Sequence, residues 1–110
     1  MQIKSRDSLL FNIMKIGYAR VSTDEQNLDL QRDALERAGC EKIYVDETSG
    51  TVAKREGLKK AKDVLRKGDV LVLWRLDRLG RSIRDLISWV EYLEEEKIGL
   101  QSLQESIDTT

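Results

Sequence analysis

The sequence predicts an α/β fold with a central, mostly parallel sheet flanked by helices, and three observations carry that expectation. Segments with strand character alternate with segments of helical period along the chain, the order that builds βαβ units with right-handed crossovers. The run VLVLW, residues 70–74, is apolar without a break, as befits a parallel strand covered on both faces. Capping signatures, STDEQ at 22–26 and SIRD at 82–85, stand just ahead of two helical segments, where hydroxyl and carboxylate groups take up the first unpaired N–H groups of a helix.

KIGYAR (15–20) reads as the first strand. Ser22 with Glu25, and Thr23 with Gln26, then have capping-box spacing, so a helix is expected to start there. It runs to about Ala38 with Leu28, Leu35 and Ala38 on one stripe, and Gly39 suits the left-handed position that stops it. KIYVD (42–46) is the second strand. ETSGTVAKREG (47–57) has neither period and holds two glycines, which makes it a connection of the kind that often carries function. Leu58, Ala61, Lys62 and Leu65 mark a second helix, with the Lys62 stem lying along its edge and Gly68 ending it. VLVLW is the third strand. Ser82 with Asp85 opens a third helix whose stripe is Ile83, Leu86, Ile87, Val90 and Leu93, ending near Lys97. A last strand, 98–103, closes the pattern, for four or five strands in all.

A chain of 110 residues suits one domain. Its 40% apolar and 35% charged content is that of a globular protein. One cysteine, Cys40, and no histidine exclude an internal disulfide and remove the usual ligands of a Cys/His zinc site. No run is long enough to span a membrane or to form a signal-peptide core, so a cytoplasmic location is expected. Residues 1–13 precede the first strand as an extension to which no function is assigned, and 14–110 form the expected domain, with Met14 a natural start. The net charge of -1 argues against an electrostatic grip on nucleic acid by the whole surface. A phosphate site here has to come from local clustering of arginines.

Ligands of open α/β sheets gather beyond the carboxyl ends of the strands. The first strand leads there to Arg20 and Ser22, the second to Asp46, Thr48 and Ser49, and the third to RLDRLGRS (75–82), with Asp77, Arg78 and Arg81. The loop before the second helix adds Lys54 and Arg55. Arg20, Arg55, Arg78 and Arg81 converging on one sheet edge would bind phosphate through paired donors and stabilise added charge in a five-coordinate transition state.

Ser22 is the candidate nucleophile, although a serine ahead of a helix is ordinarily an N-cap. Thr23 can take that capping role and release Ser22. A serine–histidine pair is excluded, so Asp77 or an arginine has to manage the proton. On the residues alone Asp77 reads better as a partner that fixes Arg78 or Arg81. Ser49 reads as a turn residue, Ser82 as an N-cap, and Gln26 as part of the capping box. Gln31 shares the apolar stripe of the first helix, as a hydrogen-bonded core group that can also orient site residues. Trp74, Trp89 and Cys40 read as packing residues.

Taken in order, KIGYARVSTDEQNLDLQRDAL, AGCEKIYVDETSG, REGLKKA, GDVLVLWRLDRLGRS and SLQESIDTT resemble the serine site-specific recombinases, the resolvase and DNA invertase family. NLDLQRDAL, AGCE and SIDT are most similar to its invertase branch. The resemblance implies a three-layer resolvase-like catalytic domain in which Ser22 attacks a DNA phosphodiester, leaving a 5'-phosphoseryl link and a free 3'-hydroxyl. Arg20, Arg55, Arg78, Arg81 and Asp77 match the family's catalytic positions, and Gln26, Gln31 and Ser49 its supporting ones. It also implies a DNA crossover site as substrate, a homodimer and synaptic tetramer in full-length members, strand exchange by subunit rotation, and inversion as the outcome. An accessory enhancer-binding protein is a further partner class. Neither ATP nor a metal is required, because transesterification keeps the bond energy in the phosphoserine, and no cofactor is expected.

Two departures from the family pattern stand out. The chain reads REGL at 55–58 where many invertases have R-P-G-L, which puts the Glu56 carboxylate beside Arg55. It also stops at Thr110, about where the family continues into a dimerisation helix and a helix-turn-helix domain, so the isolated chain is expected to bind DNA weakly and not to recombine it. The alternative of a different class is a non-catalytic α/β regulatory or interaction domain retaining the same fold.

Overall fold

The computed structural model describes residues 13–22, 28–48 and 55–110, for Thr48 the backbone alone. The elements are β1 (Lys15–Ser22), α1 (Leu28–Arg37), β2 (Lys42–Thr48), α2 (Glu56–Val64), β3 (Val70–Leu73), a 3-10 turn (Leu76–Arg78), α3 (Ile83–Glu95), β4 (Gly99–Ser102) and β5 (Ile107–Asp108). They form one sheet in the order β2-β1-β3-β4-β5. β1 pairs in parallel with both β2 and β3, and β3 with β4, while β5 returns antiparallel along β4. The strand order reverses between β1 and β3, so the crevice beyond their carboxyl ends is where a doubly wound sheet binds its ligand.

The core lies in two layers, one on each face of the sheet. Ile16, Tyr18, Leu71 and Leu73 pack with Leu58 and Ala61 of α2 and Leu93 of α3. Ala19, Val70 and Val72 face the other way, onto Leu35 of α1. Side chains alternate along a strand, so burial of all four β3 residues realises the two-sided cover that the unbroken run implied. The same alternation puts Arg20 and Ser22 on the Tyr18 face of β1, the face of α2 and α3, and turns buried Val21 toward α1.

Helix ends follow local chemistry. Gly39 takes φ +97°, and the pair of bonds Gly39 N–H to Glu36 O at 3.0 Å and Cys40 N–H to Leu35 O at 3.2 Å closes α1 in a Schellman motif. The Ser82 hydroxyl accepts the Asp85 N–H at 3.1 Å and caps α3. Lys62 lies with its ammonium 4.6 Å from the Tyr92 ring centre and 5.7 Å from that of Trp89, so its edge position comes with a cation–π contact.

Several expectations need correction. β1 continues through Ser22, so Arg20 sits inside the strand and Ser22 ends it, paired with Thr48. The capping residues Thr23, Glu25 and Gln26 lie outside the described residues. α2 stops at Val64 because Leu65 turns extended at ψ 135°, and Gly68, at φ +94°, serves the turn into β3 instead. The α3 stripe is rotated: Ile83 is 74% and Ile87 51% exposed, and Val90 is exposed too. The face that meets the core is Leu86, Trp89, Tyr92 and Leu93, because aromatic bulk at i and i+3 covers α2 better than the smaller aliphatics. β5 adds a short antiparallel strand that two polar-flanked residues did not signal, and β4 is shorter than 98–103 at both ends.

Gly57 is the tightest point between α2 and β2. A Cβ built there meets Asp46 Oδ1 and Val45 O, each at 2.8 Å, and the backbone oxygen has little room to retreat. Gly57→Ala is expected to lower stability by about 2 kcal/mol through overpacking, seen as a lower urea midpoint with unchanged slope.

Candidate active site

The site is assembled around the loop between β3 and α3. Arg20 reaches it from β1, its guanidinium donating to the Asp77 carbonyl. Arg55, the N-cap of α2, reaches it from the other side. Its Nη1 donates to the Leu79 carbonyl at 2.7 Å, and its Nη2 meets Asp85 Oδ2 at 2.5 Å. Arg78 lies in the same loop, 10% exposed, with Nε 3.6 Å from Asp77 Oδ1. Arg75 sits 3.3 Å from the other Asp77 oxygen, and the guanidiniums of Arg75 and Arg78 lie 4.8 and 5.6 Å from the Trp74 ring centre. Trp74 therefore serves as a platform for cations, more than the packing residue its sequence context implied.

Arg20 is held by its backbone as well. It lies past the last β1–β3 pair, Tyr18 with Leu73, so no strand meets it on that side. Gln31, fully buried on α1, fills the gap: its Oε1 accepts the Arg20 N–H at 3.3 Å and its Nε2 donates to the Arg20 carbonyl at 3.1 Å. A polar residue on an apolar stripe is thus a hydrogen-bonded core group that also fixes a site residue.

Two carboxylates outside the candidate set prove central to the arrangement. Asp46, buried at the end of β2, accepts the Tyr18 hydroxyl at 2.6 Å, the Gly57 N–H at 2.6 Å and the Leu58 N–H at 3.1 Å. It ties β1 and β2 to the first turn of α2, whose N–H groups have no intrahelical partner, and so places Arg55. Burial and this carboxylate both push the Tyr18 hydroxyl far above its usual pKa, which keeps it a donor. Asp85 receives both Arg55 and the Arg81 N–H, the latter at 2.9 Å, joining the start of α2 to the loop. S-x-x-D at 82–85 signalled a cap for α3, and nothing in that spacing signalled a partner 30 residues away.

The Arg81 N–H foremost, against a smaller opposing effect of burial and with help from the Arg55 charge, holds the Asp85 carboxyl below the usual carboxylate range. A folded-state pKa below the unfolded value of about 3.9 gives stability that is present above that value and lost as pH falls through the folded one. Asp85→Asn is expected to unfold at lower urea than the parent at pH 7, with the difference shrinking when both are measured at pH 2.

Of the nine candidate positions, Arg20, Arg55, Asp77 and Arg78 are brought into one network around 75–82. Arg81 adjoins it, linked to Asp85 through its backbone. Gln31 supports Arg20. Ser22 stands half-buried at the end of β1, two residues beyond Arg20 on the same strand face. Gln26 and Ser49 lie outside the described residues. Cys40 packs against the α1 layer, and burial pushes its thiol up to about 11.

The sheet order β2-β1-β3-β4-β5 is that of a doubly wound α/β domain, with Arg20, Arg55 and Arg78 gathered near its switch point. Comparison with known proteins narrows this. The family model described as "Resolvase, N terminal domain" matches residues 15–110, and the chain belongs to that family. It is 58% identical over 97 residues to a DNA-invertase of Escherichia phage P1, covering 88% of this chain and 52% of that protein. It is 59% identical over 97 residues to the serine recombinase gin of Escherichia phage Mu, covering 88% and 50%. The chain thus spans about half the length of the curated relatives it matches, and the likeness to named invertases supports the invertase branch. In fold it is similar to a resolvase family site-specific recombinase from Streptococcus pneumoniae, with TM-score 0.68 and 18% identity over 87% of this chain and 76% of that one.

Proposed function

We propose that this chain is the catalytic domain of a serine DNA recombinase, with DNA inversion as the reaction of the whole protein. The observation that carries the reading is the placing of Arg20 and Ser22 on one face of β1, with Arg20 joined to the Asp77 carbonyl in the loop that bears Arg78 and Arg81. Ser22 Oγ attacks the phosphorus, the bond to the 3'-oxygen breaks, and a 5'-phosphoseryl link forms. The arginines stabilise charge that grows on the phosphate oxygens. Rejoining is the reverse attack by a 3'-hydroxyl. Asp77 orients Arg78, Gln31 orients Arg20, and Gln26 and Ser49 support the site. Asp77 or one of the arginines takes the Ser22 proton, and the departing 3'-oxygen gains a proton to become the free 3'-hydroxyl. Dimer and synaptic tetramer, and an enhancer-binding partner, belong to this proposal for the whole protein.

The test joins the chain to the C-terminal half of the phage Mu relative and supplies that relative's DNA site. Protein–DNA adducts that survive denaturation are expected from the parent and from Ser82→Ala, and none from Ser22→Ala. Adducts from Ser22→Ala at the parental level would overturn the assignment and favour a non-catalytic role for Ser22.

A further inference from the structure

A furrow runs between α2 and α3 away from the candidate active site. Its upper part, about 600 Å3, lies among Arg55, Lys59, Lys62, Arg81 and Trp89. A second hollow of about 270 Å3 continues it past Asp85, Ser88 and Tyr92 and shares Lys62 and Trp89 with the first. On α2 the cations recur at i, i+4 and i+7, a single helix face. The facing stripe of α3 offers Ser88, Trp89 and Tyr92 beside Asp85, which is already engaged with Arg55. Glu56 is the other carboxylate in the furrow, so four cations stand against two carboxylates in a chain whose net charge is -1.

We infer that this furrow is a track for the backbone phosphates of the DNA strand that enters the active site, a contact that rests on the reading of the site as one for DNA phosphodiesters. Charge complementarity favours a polyanion. The furrow is continuous with the arginine cluster through Arg55 and Arg81, so a strand lying on those residues is led into it. From Arg55 to Lys62 the α2 ridge runs about 10 Å at about 1.5 Å per residue. That accommodates about two successive phosphates of one strand, whose separation along the backbone exceeds the rise of about 3.4 Å per nucleotide along the duplex axis. Lys62 is held in place over Tyr92 at 4.6 Å, so its ammonium is partly ordered before any phosphate arrives. Such contacts position DNA without reading its sequence.

The experiment measures binding of a labelled DNA duplex to the 110-residue chain by fluorescence anisotropy over a series of low salt concentrations. Lys59→Gln/Lys62→Gln is compared with Arg66→Gln/Lys67→Gln, which removes two exposed cations in the turn that follows α2. The furrow variant is expected to bind about tenfold more weakly than the control, with a salt slope reduced by about 1.8 for two lost phosphate contacts. Lys59→Gln alone leaves the Lys62 ring contact intact and is expected to lower the slope by about 0.9. Equal affinity and slope in furrow and control variants would overturn the inference. So would a DNA-free dimer that the furrow variant loses, since the furrow would then seat a second copy. A furrow effect on binding together with parental adduct formation by Ser22→Ala would sink the nucleophile and leave the track standing.

Discussion

Asp46→Ala is expected to cost about 4 kcal/mol, a large share of the stability of a domain whose total is about 5–15 kcal/mol. The carboxylate is 5% exposed and receives three hydrogen bonds, from the Tyr18 hydroxyl and the Gly57 and Leu58 N–H groups. Alanine leaves all three donors buried and unpaired, each at a cost of about 1–3 kcal/mol, reduced where water enters the cavity. Asp46→Asn keeps one accepting oxygen and is expected to lose roughly half as much. Urea unfolding followed by far-ultraviolet circular dichroism measures both. A loss below about 1 kcal/mol for the alanine variant would mean that another group holds the start of α2. The variant that folds should also show weaker phosphate binding, because α2 carries Arg55.

Gln31→Leu is expected to cost about 3 kcal/mol despite the close match in size. Its amide makes two bonds to the Arg20 backbone at a point where β3 no longer runs alongside β1. Leucine leaves a half-buried N–H and a half-buried carbonyl without that partner. The effect on chemistry should exceed the effect on stability in kind: Arg20 loses its anchor, and adduct formation falls in protein that remains folded at low temperature. Stability at the parental level would show that the Gln31 contact is incidental to the strand end.

Much of the fold was legible because burial writes itself into sequence with a period. VLVLW announced a strand covered on both faces, and Val70 through Leu73 are all buried. Gly39 announced the end of α1 by the left-handed conformation it adopts. Where two periodic registers competed the reading slipped. In α3, Leu86 and Leu93 of the aliphatic stripe face the core as expected, but Ile83, Ile87 and Val90 are exposed and Trp89 and Tyr92 take their place. Aromatic residues bury more area per side chain, and that decides the helix rotation.

The site was legible in its residue types and only partly in its connections. Arginines at strand ends pointed to phosphate chemistry, and Arg20, Arg55 and Arg78 do meet at one loop. Asp46 and Asp85 were missed as organisers because the partners through which they join separate elements lie 11 to 30 residues away. Local spacing holds no record of such pairings. Gln31 was recognisable, since an amide on an apolar stripe has to find partners. Ending the first strand at Arg20 missed the extension of β1 through Ser22. That extension supplies the alternation by which Arg20 and Ser22 share a face while Val21 is buried behind them.

The most direct measurement identifies the amino acid joined to DNA. Adduct from the chimera is trapped by denaturation, digested with nuclease and trypsin, and analysed by mass spectrometry. A nucleotide-bearing phosphate on Ser22, within the tryptic peptide 21–32 and with Thr23 unmodified, is the predicted result. The same modification on Thr23, or on Ser82 within peptide 82–84, would contradict the assignment of Ser22 as the nucleophile served by these arginines.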